Sequence, residues 1–215
     1  MLSSAMKINN NMSKVFLQSA FAGLLIGLGG FAYLSNPVTG VFLFAFGLAC
    51  VVLYKLPLYT GTVGFVDFKC SDDWKFLIVV LIGNIFGTLI SSIIACCGPD
   101  CIIPAATEII HQRTSMGFIR CFILAIGCGV VMSAAVEAAR AGKTIANWLP
   151  LLFGIPLFIS CGMLHSIADM FYFCVSSISS FSTLCDYSLC WIFAVLGNGI
   201  GCSLYRIFFA NKITG

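Results

Sequence analysis

The stretch GMLHSIADMFYF, residues 162–173, places two ionisable side chains, His165 and Asp169, in one of the most apolar parts of the chain. They are scarce residues, because the whole sequence has only two histidines and eight acidic residues. An ionisable group at membrane depth is costly and usually faces a protein interior or a water-filled cavity, where it serves a function. We therefore expect this stretch to form part of a buried functional site.

The composition predicts an all-α membrane protein. Of the 215 residues, 60% are hydrophobic and only 9% are charged, and the mean hydropathy is +1.05. Soluble domains have about 25% charged residues, so most of this surface must face lipid. The net charge of +3 comes without a basic run, which gives no support for nucleic-acid binding.

Six apolar segments are long enough to cross a bilayer, since a spanning helix needs about 20 mostly apolar residues. The second and the fifth are interrupted, by Pro57 and Gly61 in one and by Pro150, Pro156 and Gly162 in the other. Broken helices are tolerated at membrane depth only where they face protein or a cavity. The predicted spans are 15–34, 38–66, 75–97, 117–139, 145–175 and 188–210.

The basic residues predict the orientation. With both termini cytoplasmic, only Arg113 and Arg120 lie outside, and Lys55 lies within the membrane. Cytoplasmic loops carry the excess of Lys and Arg. The N-terminal residues show no cleavable signal peptide. The residues placed inside are Lys7, Lys14, Lys69, Lys75, Arg140, Lys143, Arg206 and Lys212.

The two halves of the chain resemble each other. VLIGNIFGTLI, residues 80–90, and VLGNGIGCSLY, residues 195–205, share a G-N-x-x-G motif around Asn84 and Asn198. Such small residues also serve close helix packing, but each half has a broken middle helix as well. We expect one channel domain, 1–215, built from two inverted repeats, about 15–97 and 117–210, whose breaks meet at the midplane.

His165 is the strongest candidate for a functional group. The symmetry of the breaks brings it near Thr60 of the stretch LYTGT, residues 58–62, with Ser166 as a further donor. Its unperturbed pKa near 6.5 suits proton exchange with a weak acid or hydrogen bonding to an anion. A histidine that merely bonds to a core carbonyl is the alternative. His111 falls in an outer loop and is expected to be solvated.

No metal or cofactor site is predicted. Cys96, Cys97 and Cys101 lie near a helix end, but no histidine or acidic residue stands at the ligand spacing of zinc. Cysteines inside apolar runs behave as small hydrophobic residues. We expect a protein that is not an enzyme and that has no cofactor.

The interrupted helices and the G-N-x-x-G helices resemble those of the formate/nitrite transporter family. The run H-S-I-A-x-M-F is the most specific piece, and the resemblance extends from about Phe16 to Phe209. It implies an aquaporin-like protomer with its own pore, a homopentamer, and residence in the bacterial inner membrane. It also implies a small monovalent anion as substrate: formate, nitrite or hydrosulfide.

The resemblance assigns residues to two groups. The pore residues are His165, Thr60, Phe44, Leu48, Tyr59, Phe158 and Met132. The wider network consists of Lys55, Asp169, Arg113, Lys143, Asn84 and Asn198.

The chain departs from the family pattern in its charged residues. Pro57 replaces an acidic residue, Asp169 replaces an asparagine and Arg113 stands for a vestibule lysine. Lys55 and Asp169 can form a compensating ion pair near the breaks, since a buried pair stays charged where a lone charge would not. Alternatively, Lys55 reaches the cytoplasmic loop and Asp169 caps a helix. If Asp169 lies one helical turn from His165, its negative charge would favour the protonated, imidazolium form of that ring.

These expectations describe a passive channel or a weak-acid/proton carrier. Arg113 outside and Lys143 inside concentrate anions at the vestibules, and apolar constrictions reject a bare charge. A neutral-solute channel of the aquaporin kind is one alternative, suggested by the N-P dipeptide at Asn36. A membrane redox enzyme using Cys96, Cys97 and His111 is the other.

Overall fold

All regular structure in the described residues is helical. The computed structural model describes residues 11–67, 69–142, 144–177 and 184–209, with the backbone alone at 184–186. Four of its helices are long and apolar enough to cross a membrane. The eight helices in these ranges are α1 Met12–Ser35, α2 Pro37–Leu53, α3 Ser71–Cys96, α4 Ile102–Met116, α5 Phe118–Ala141, α6 Ile145–Ser160, α7 Ser166–Ser176 and α8 Leu184–Phe209.

The predicted second and fifth spans are each divided. The second consists of α2, a break, and two 3-10 turns at Tyr59–Gly61 and Val63–Phe65. The fifth consists of α6, a break at 161–165, and α7. At 1.5 Å per residue the 17 residues of α2 extend about 25 Å, less than the roughly 30 Å of a hydrocarbon core. The interruptions predicted from the sequence are therefore present.

The helices pack in the same pattern in both halves. α1 makes its most extensive contacts with α3 and then with α2, and α5 does so with α8 and then with α6. The G-N-x-x-G motifs permit the closest approaches. A Cβ on Gly83 would lie 2.8 Å from the Phe16 carbonyl oxygen of α1, and one on Gly197 would lie 2.6 Å from the Phe122 carbonyl oxygen of α5. Side chains there would force the helices apart.

Helix α4 differs from the sequence prediction of an outer loop for this segment. Its apolar residues Ile102, Ala106 and Ile110 are spaced four apart, lie on one face and are buried. That face packs mainly against α7. His111 lies on the other side and is exposed. The sequence prediction missed this short amphipathic helix because the polar residues of the segment suggested a loop.

The N-P dipeptide of the aquaporin alternative has a local role. Asn36 caps α2, where its side-chain oxygen accepts hydrogen bonds from the backbone N–H groups of Val38 and Thr39 at 3.1 and 3.2 Å. Pro37 occupies the first helical position, where a missing N–H costs nothing. Asn36 is exposed, so this dipeptide starts a helix.

Candidate functional site at the two helix breaks

The first break is closed by a Schellman motif at the end of α2. The Lys55 N–H donates to the Val52 carbonyl at 3.2 Å, and the Leu56 N–H donates to the Val51 carbonyl at 2.9 Å. Lys55 takes the left-handed conformation that this motif requires, with φ of 55°. Because the lysine serves as an exposed helix terminator, the predicted ion pair between Lys55 and Asp169 is wrong.

The second break repeats the motif at the end of α6. The Gly162 N–H donates to the Ile159 carbonyl at 3.0 Å, and the Met163 N–H donates to the Phe158 carbonyl at 2.9 Å. Gly162 has φ of 65°, which a glycine adopts without a Cβ clash. Lys55 and Gly162 therefore occupy equivalent positions in the two breaks.

Asn84 of α3 holds the chain after the first break. Its side-chain oxygen accepts the Tyr59 N–H at 2.9 Å. Its amide nitrogen donates to the Pro57 carbonyl at 3.1 Å and to the Ser19 carbonyl of α1 at 2.8 Å. The side chain is fully buried. One amide thus satisfies two backbone groups that the break leaves without helical partners and links them to the Ser19 carbonyl of α1.

Asn198 of α8 does the same for the second break. Its side-chain oxygen accepts the Ser166 N–H at 2.8 Å. Its amide nitrogen donates to the Leu164 carbonyl at 2.8 Å and to the Ala125 carbonyl of α5 at 2.9 Å. The two G-N-x-x-G motifs therefore combine close packing through their glycines with anchoring of a break through their asparagines.

His165 and Thr60 meet where the two breaks come together. The Thr60 hydroxyl oxygen lies 3.2 Å from His165 Nε2. Both residues are buried, with 4% of Thr60 and 3% of His165 exposed. This contact connects the two breaks inside the protein.

The hydrogen bonds around the ring determine the tautomer of His165. Its Nδ1 accepts the backbone N–H of Ala168 at 3.2 Å, and a backbone N–H can only donate. Nδ1 is therefore unprotonated, and a neutral ring carries its proton on Nε2. Nε2–H then donates to the Thr60 oxygen, which leaves the Thr60 hydroxyl proton free for another acceptor. The predicted imidazolium would lose the bond that caps α7.

Two phenylalanines cover the pair. The Phe158 ring lies 5.9 Å from the His165 ring and meets the Phe44 ring edge to face at 6.1 Å, centroid to centroid. Leu48 and Met132 are buried in the same core. The structure thus places Phe158 beside His165 and Phe44 against Phe158, and both were predicted from the family resemblance.

Asp169 is paired with Arg113. Arg113 Nε lies 3.4 Å from a carboxylate oxygen of Asp169, and the two side chains are 12% and 2% exposed. The guanidinium also donates to the carbonyl oxygens of Gly162 at 2.6 Å and Met163 at 3.3 Å. Arg113 therefore fastens the second break to α4. Arg113 is half-buried, and it is the cation beside Asp169 in place of the predicted Lys55.

Tyr59 lies elsewhere than the position predicted for it. Its hydroxyl donates to the Val195 carbonyl of α8 at 3.0 Å. Its ring lines an apolar groove between α3 and α8 with Trp74 and Leu77. This placement differs from the pore-lining position expected from the sequence.

Each member of the pair lines a cavity. A cavity of about 80 Å³ is lined by Arg113, Phe158 and His165. A cavity of about 470 Å³ is lined by Thr60, Arg140 and Arg206, among others. The His165–Thr60 contact thus lies between a residue of the small cavity and a residue of the larger one.

Nearly the whole chain matches one family model. The model described as "Formate/nitrite transporter" matches residues 2–210. The chain belongs to the formate/nitrite transporter family.

Individual relatives are distant but cover most of the chain. The nitrite transporter NirC of Escherichia coli K12 is 24% identical over 96% of this chain and 81% of its own length. The nitrite transporter NirC of Salmonella typhimurium LT2 is 23% identical over 96% of this chain and 80% of its own length. Among solved structures, a pentameric formate channel with formate bound has a TM-score of 0.79 at 19% identity, covering 96% of this chain and 99% of that one. An FNT family ion channel has a TM-score of 0.81 at 21% identity, covering 94% of this chain and 91% of that one.

Membership of the formate/nitrite transporter family makes the chain a multi-pass membrane transport protein, because its relatives are channels and transporters. The expectation that it is not an enzyme is confirmed on the same grounds. Across the described ranges, no group of three or more His, Cys, Asp or Glu side chains is placed to hold a metal ion. Cys96, Cys97 and Cys101 are free. Lys143 lies outside the described residues.

Two residues of α8 that support the site in this transporter were missed in the sequence. The Trp191 indole N–H donates to the Ser166 carbonyl at 2.9 Å, and the Cys202 thiol donates to the Thr60 carbonyl at 3.1 Å. Trp191 precedes Asn198 by seven residues and Cys202 follows it by four. These spacings place all three on one helix face, and that pattern was the available signal.

Proposed function

We propose that the chain is a passive channel or weak-acid carrier for small monovalent anions, namely formate, nitrite or hydrosulfide. The observation that carries this proposal is the buried His165–Thr60 pair, because its two members each line a cavity and the Phe158 ring lies beside His165. The names of the NirC relatives and of the formate-bound channel point to formate and nitrite.

The pair gives the anion one hydrogen bond where water is excluded. A bare anion loses its hydration at Phe44 and Phe158, which is expensive without compensation. The Thr60 hydroxyl, held by Nε2–H of His165, has a free proton to donate. A neutral histidine also avoids trapping the anion, as a fixed buried cation would. The substrate crosses as a hydrogen-bonded anion or, after gaining a proton, as the neutral acid.

We further infer the assembly and the placement. The matched Schellman motifs and asparagine anchors support two inverted repeats, about 15–97 and 117–210. The pentameric neighbour supports a homopentamer. The excess of basic residues on one side supports cytoplasmic termini, and the NirC relatives support the bacterial inner membrane.

His165→Leu is expected to reduce nitrite flux by roughly 10- to 100-fold. A hydrogen bond to a charged group is worth about 1.5–3 kcal/mol, and each 1.4 kcal/mol corresponds to about tenfold. The measurement is anion flux into proteoliposomes.

His111→Gln is the matched control, because His111 is exposed and is the second of only two histidines. It should leave both the flux and its pH profile unchanged. Equal flux through His165→Leu and the unaltered protein at every pH would refute the role of the pair.

Thr60→Val and Thr60→Ser separate the hydroxyl from the shape of the side chain. Valine keeps the volume but leaves Nε2–H of His165 without its acceptor, so we expect about a tenfold loss of flux. Serine restores the hydroxyl and should retain flux within about threefold. If valine and serine behave alike in proteoliposomes, the hydroxyl plays no part in permeation.

A further inference from the structure

Two arginines line the larger cavity on the Thr60 side, and only one of them is paired with a carboxylate among the described residues. Its volume is about 470 Å³, and the ends of α5 and α8 and the 3-10 turns form its walls. Thr60 lies at its inner limit, and Arg140 and Arg206 line it together with Glu137 and Phe65. An anion on its way to or from the buried pair passes these groups.

Arg140 is already compensated. Its Nη1 lies 3.1 Å from a carboxylate oxygen of Glu137, one turn earlier on α5. The other amino group of its guanidinium lies beside Gly61, 3.5 Å from the position of a Cβ there. Within this ion pair the positive charge of Arg140 is balanced, so it adds little to the attraction of an anion.

Arg206 has no such partner among the described residues. Its guanidinium carbon lies 4.2 Å above the centre of the Phe65 ring, a cation–π arrangement that fixes the group at the cavity wall. Its Nη1 is buried and makes no hydrogen bond to any described atom. A buried N–H without an acceptor is costly, and because Arg206 also lines the cavity, the rest of its guanidinium can meet the oxygens of a ligand there.

The chemistry of the guanidinium indicates the kind of ligand. Its N–H groups form a rigid planar fork that matches two oxygen atoms in one plane, as in a carboxylate. Formate and nitrite both carry two such oxygens on one central atom, whereas chloride is a sphere and hydrosulfide has a single heavy atom. The fork therefore favours formate and nitrite over hydrosulfide and chloride.

We propose that Arg206 forms a binding site for small planar anions with two oxygens, which holds formate or nitrite in this cavity before transfer to Thr60. This inference rests on the proposed anion transport and adds to it a second binding position and a preference among the anions. Phe65 orients the guanidinium, and Glu137 keeps Arg140 from competing for the anion.

Direct binding tests the site without flux. The midpoint of thermal unfolding of the purified protein is measured against sodium nitrite, with sodium chloride as the reference at constant ionic strength. We expect saturable stabilisation by nitrite in the unaltered protein. Arg206→Gln should raise the half-saturating nitrite concentration at least tenfold. Arg206→Lys keeps the charge without the fork and should lose the preference for nitrite over chloride.

Arg120→Gln removes the same charge from an exposed position outside the cavity and should bind nitrite as the unaltered protein does. An Arg206→Gln titration that matches the unaltered protein overturns the inference. If Arg206→Gln does not fold, Arg206→Lys decides: an undiminished preference for nitrite overturns the inference, and a lost preference supports it.

Flux separates this inference from the proposed function. In proteoliposomes, Arg206→Gln should raise the KM for nitrite supplied from the Arg206 side at least tenfold, with flux at saturation within about twofold. Normal flux with an unchanged KM would overturn the Arg206 site and leave the transport function standing. Suppose instead that the unaltered protein binds nitrite but shows no flux, and that Arg206→Gln loses the binding. That result would overturn the transport function and leave the site standing.

Discussion

Arg113→Ala is expected to destabilise the protein by about 3–5 kcal/mol, the cost of removing one member of a buried ion pair. The substitution leaves the Asp169 carboxylate buried without its cation, at a position only 2% exposed. It also removes the donors that satisfy the carbonyls of Gly162 and Met163 in the second break. The measurement is the free energy of unfolding in detergent, with flux in proteoliposomes as a second readout.

A double-mutant cycle identifies the cause of this loss. Arg113→Met combined with Asp169→Leu replaces both charges by apolar groups, which buried pairs often tolerate. We expect the double variant to be more stable than Arg113→Met alone. Arg120→Ala, at an exposed position, should change stability by no more than about 0.5 kcal/mol. If the changes in unfolding free energy of Arg113→Met and Asp169→Leu simply add up in the double variant, the ion pair is unimportant for stability.

Asn198→Leu is expected to abolish most transport and to destabilise the fold. Leucine has a similar volume but leaves the Ser166 N–H and the Leu164 carbonyl of the break without their hydrogen bonds, and it removes the link to the Ala125 carbonyl of α5. Each buried unpaired group costs about 1–3 kcal/mol. Because Leu164 and Ser166 flank His165 in the chain, the ring moves away from Thr60 and flux falls at least tenfold.

Asn84→Leu is the matched variant in the other half. It frees the equivalent two groups of the first break, the Tyr59 N–H and the Pro57 carbonyl, and removes the link to the Ser19 carbonyl of α1, so its loss of stability should be similar. Asn198→Asp keeps the acceptor for the Ser166 N–H and should retain part of the stability. Wild-type stability of both leucine variants would contradict the anchoring role of the asparagines.

The sequence predicts the helices well and the polar contacts between them poorly. Hydropathy alone locates the spans, and Pro57 and Gly162 indicate where two of them break. Periodicity does not specify which polar side chains meet across helices. The outer loop predicted for the segment of Arg113 is wrong, because its polar residues suggest a loop where the structure has helix α4. Once Ile102, Ala106 and Ile110 are recognised as one buried helix face, Arg113 follows three residues later on that same face.

The role of Lys55 was also not predicted from the sequence. A lysine beside a break suggests an ion pair, but its backbone takes the left-handed conformation of a helix terminator. Glycine usually marks that position, and Gly162 does so in the other half. The contact between His165 and Thr60 was expected from the symmetry of the breaks and from the family resemblance, and no periodicity in the chain would have selected it.

The asparagine anchors have a consequence for the order in which the protein is made. The backbone at 164–166 depends on Asn198, which the ribosome adds more than thirty residues later. Until then α7, with its 11 residues and a length of about 16 Å, is too short to cross the bilayer and has open polar ends. We therefore expect the second half to settle in the membrane only after synthesis of α8, while the first half, with Asn84 nearer in sequence, is complete earlier.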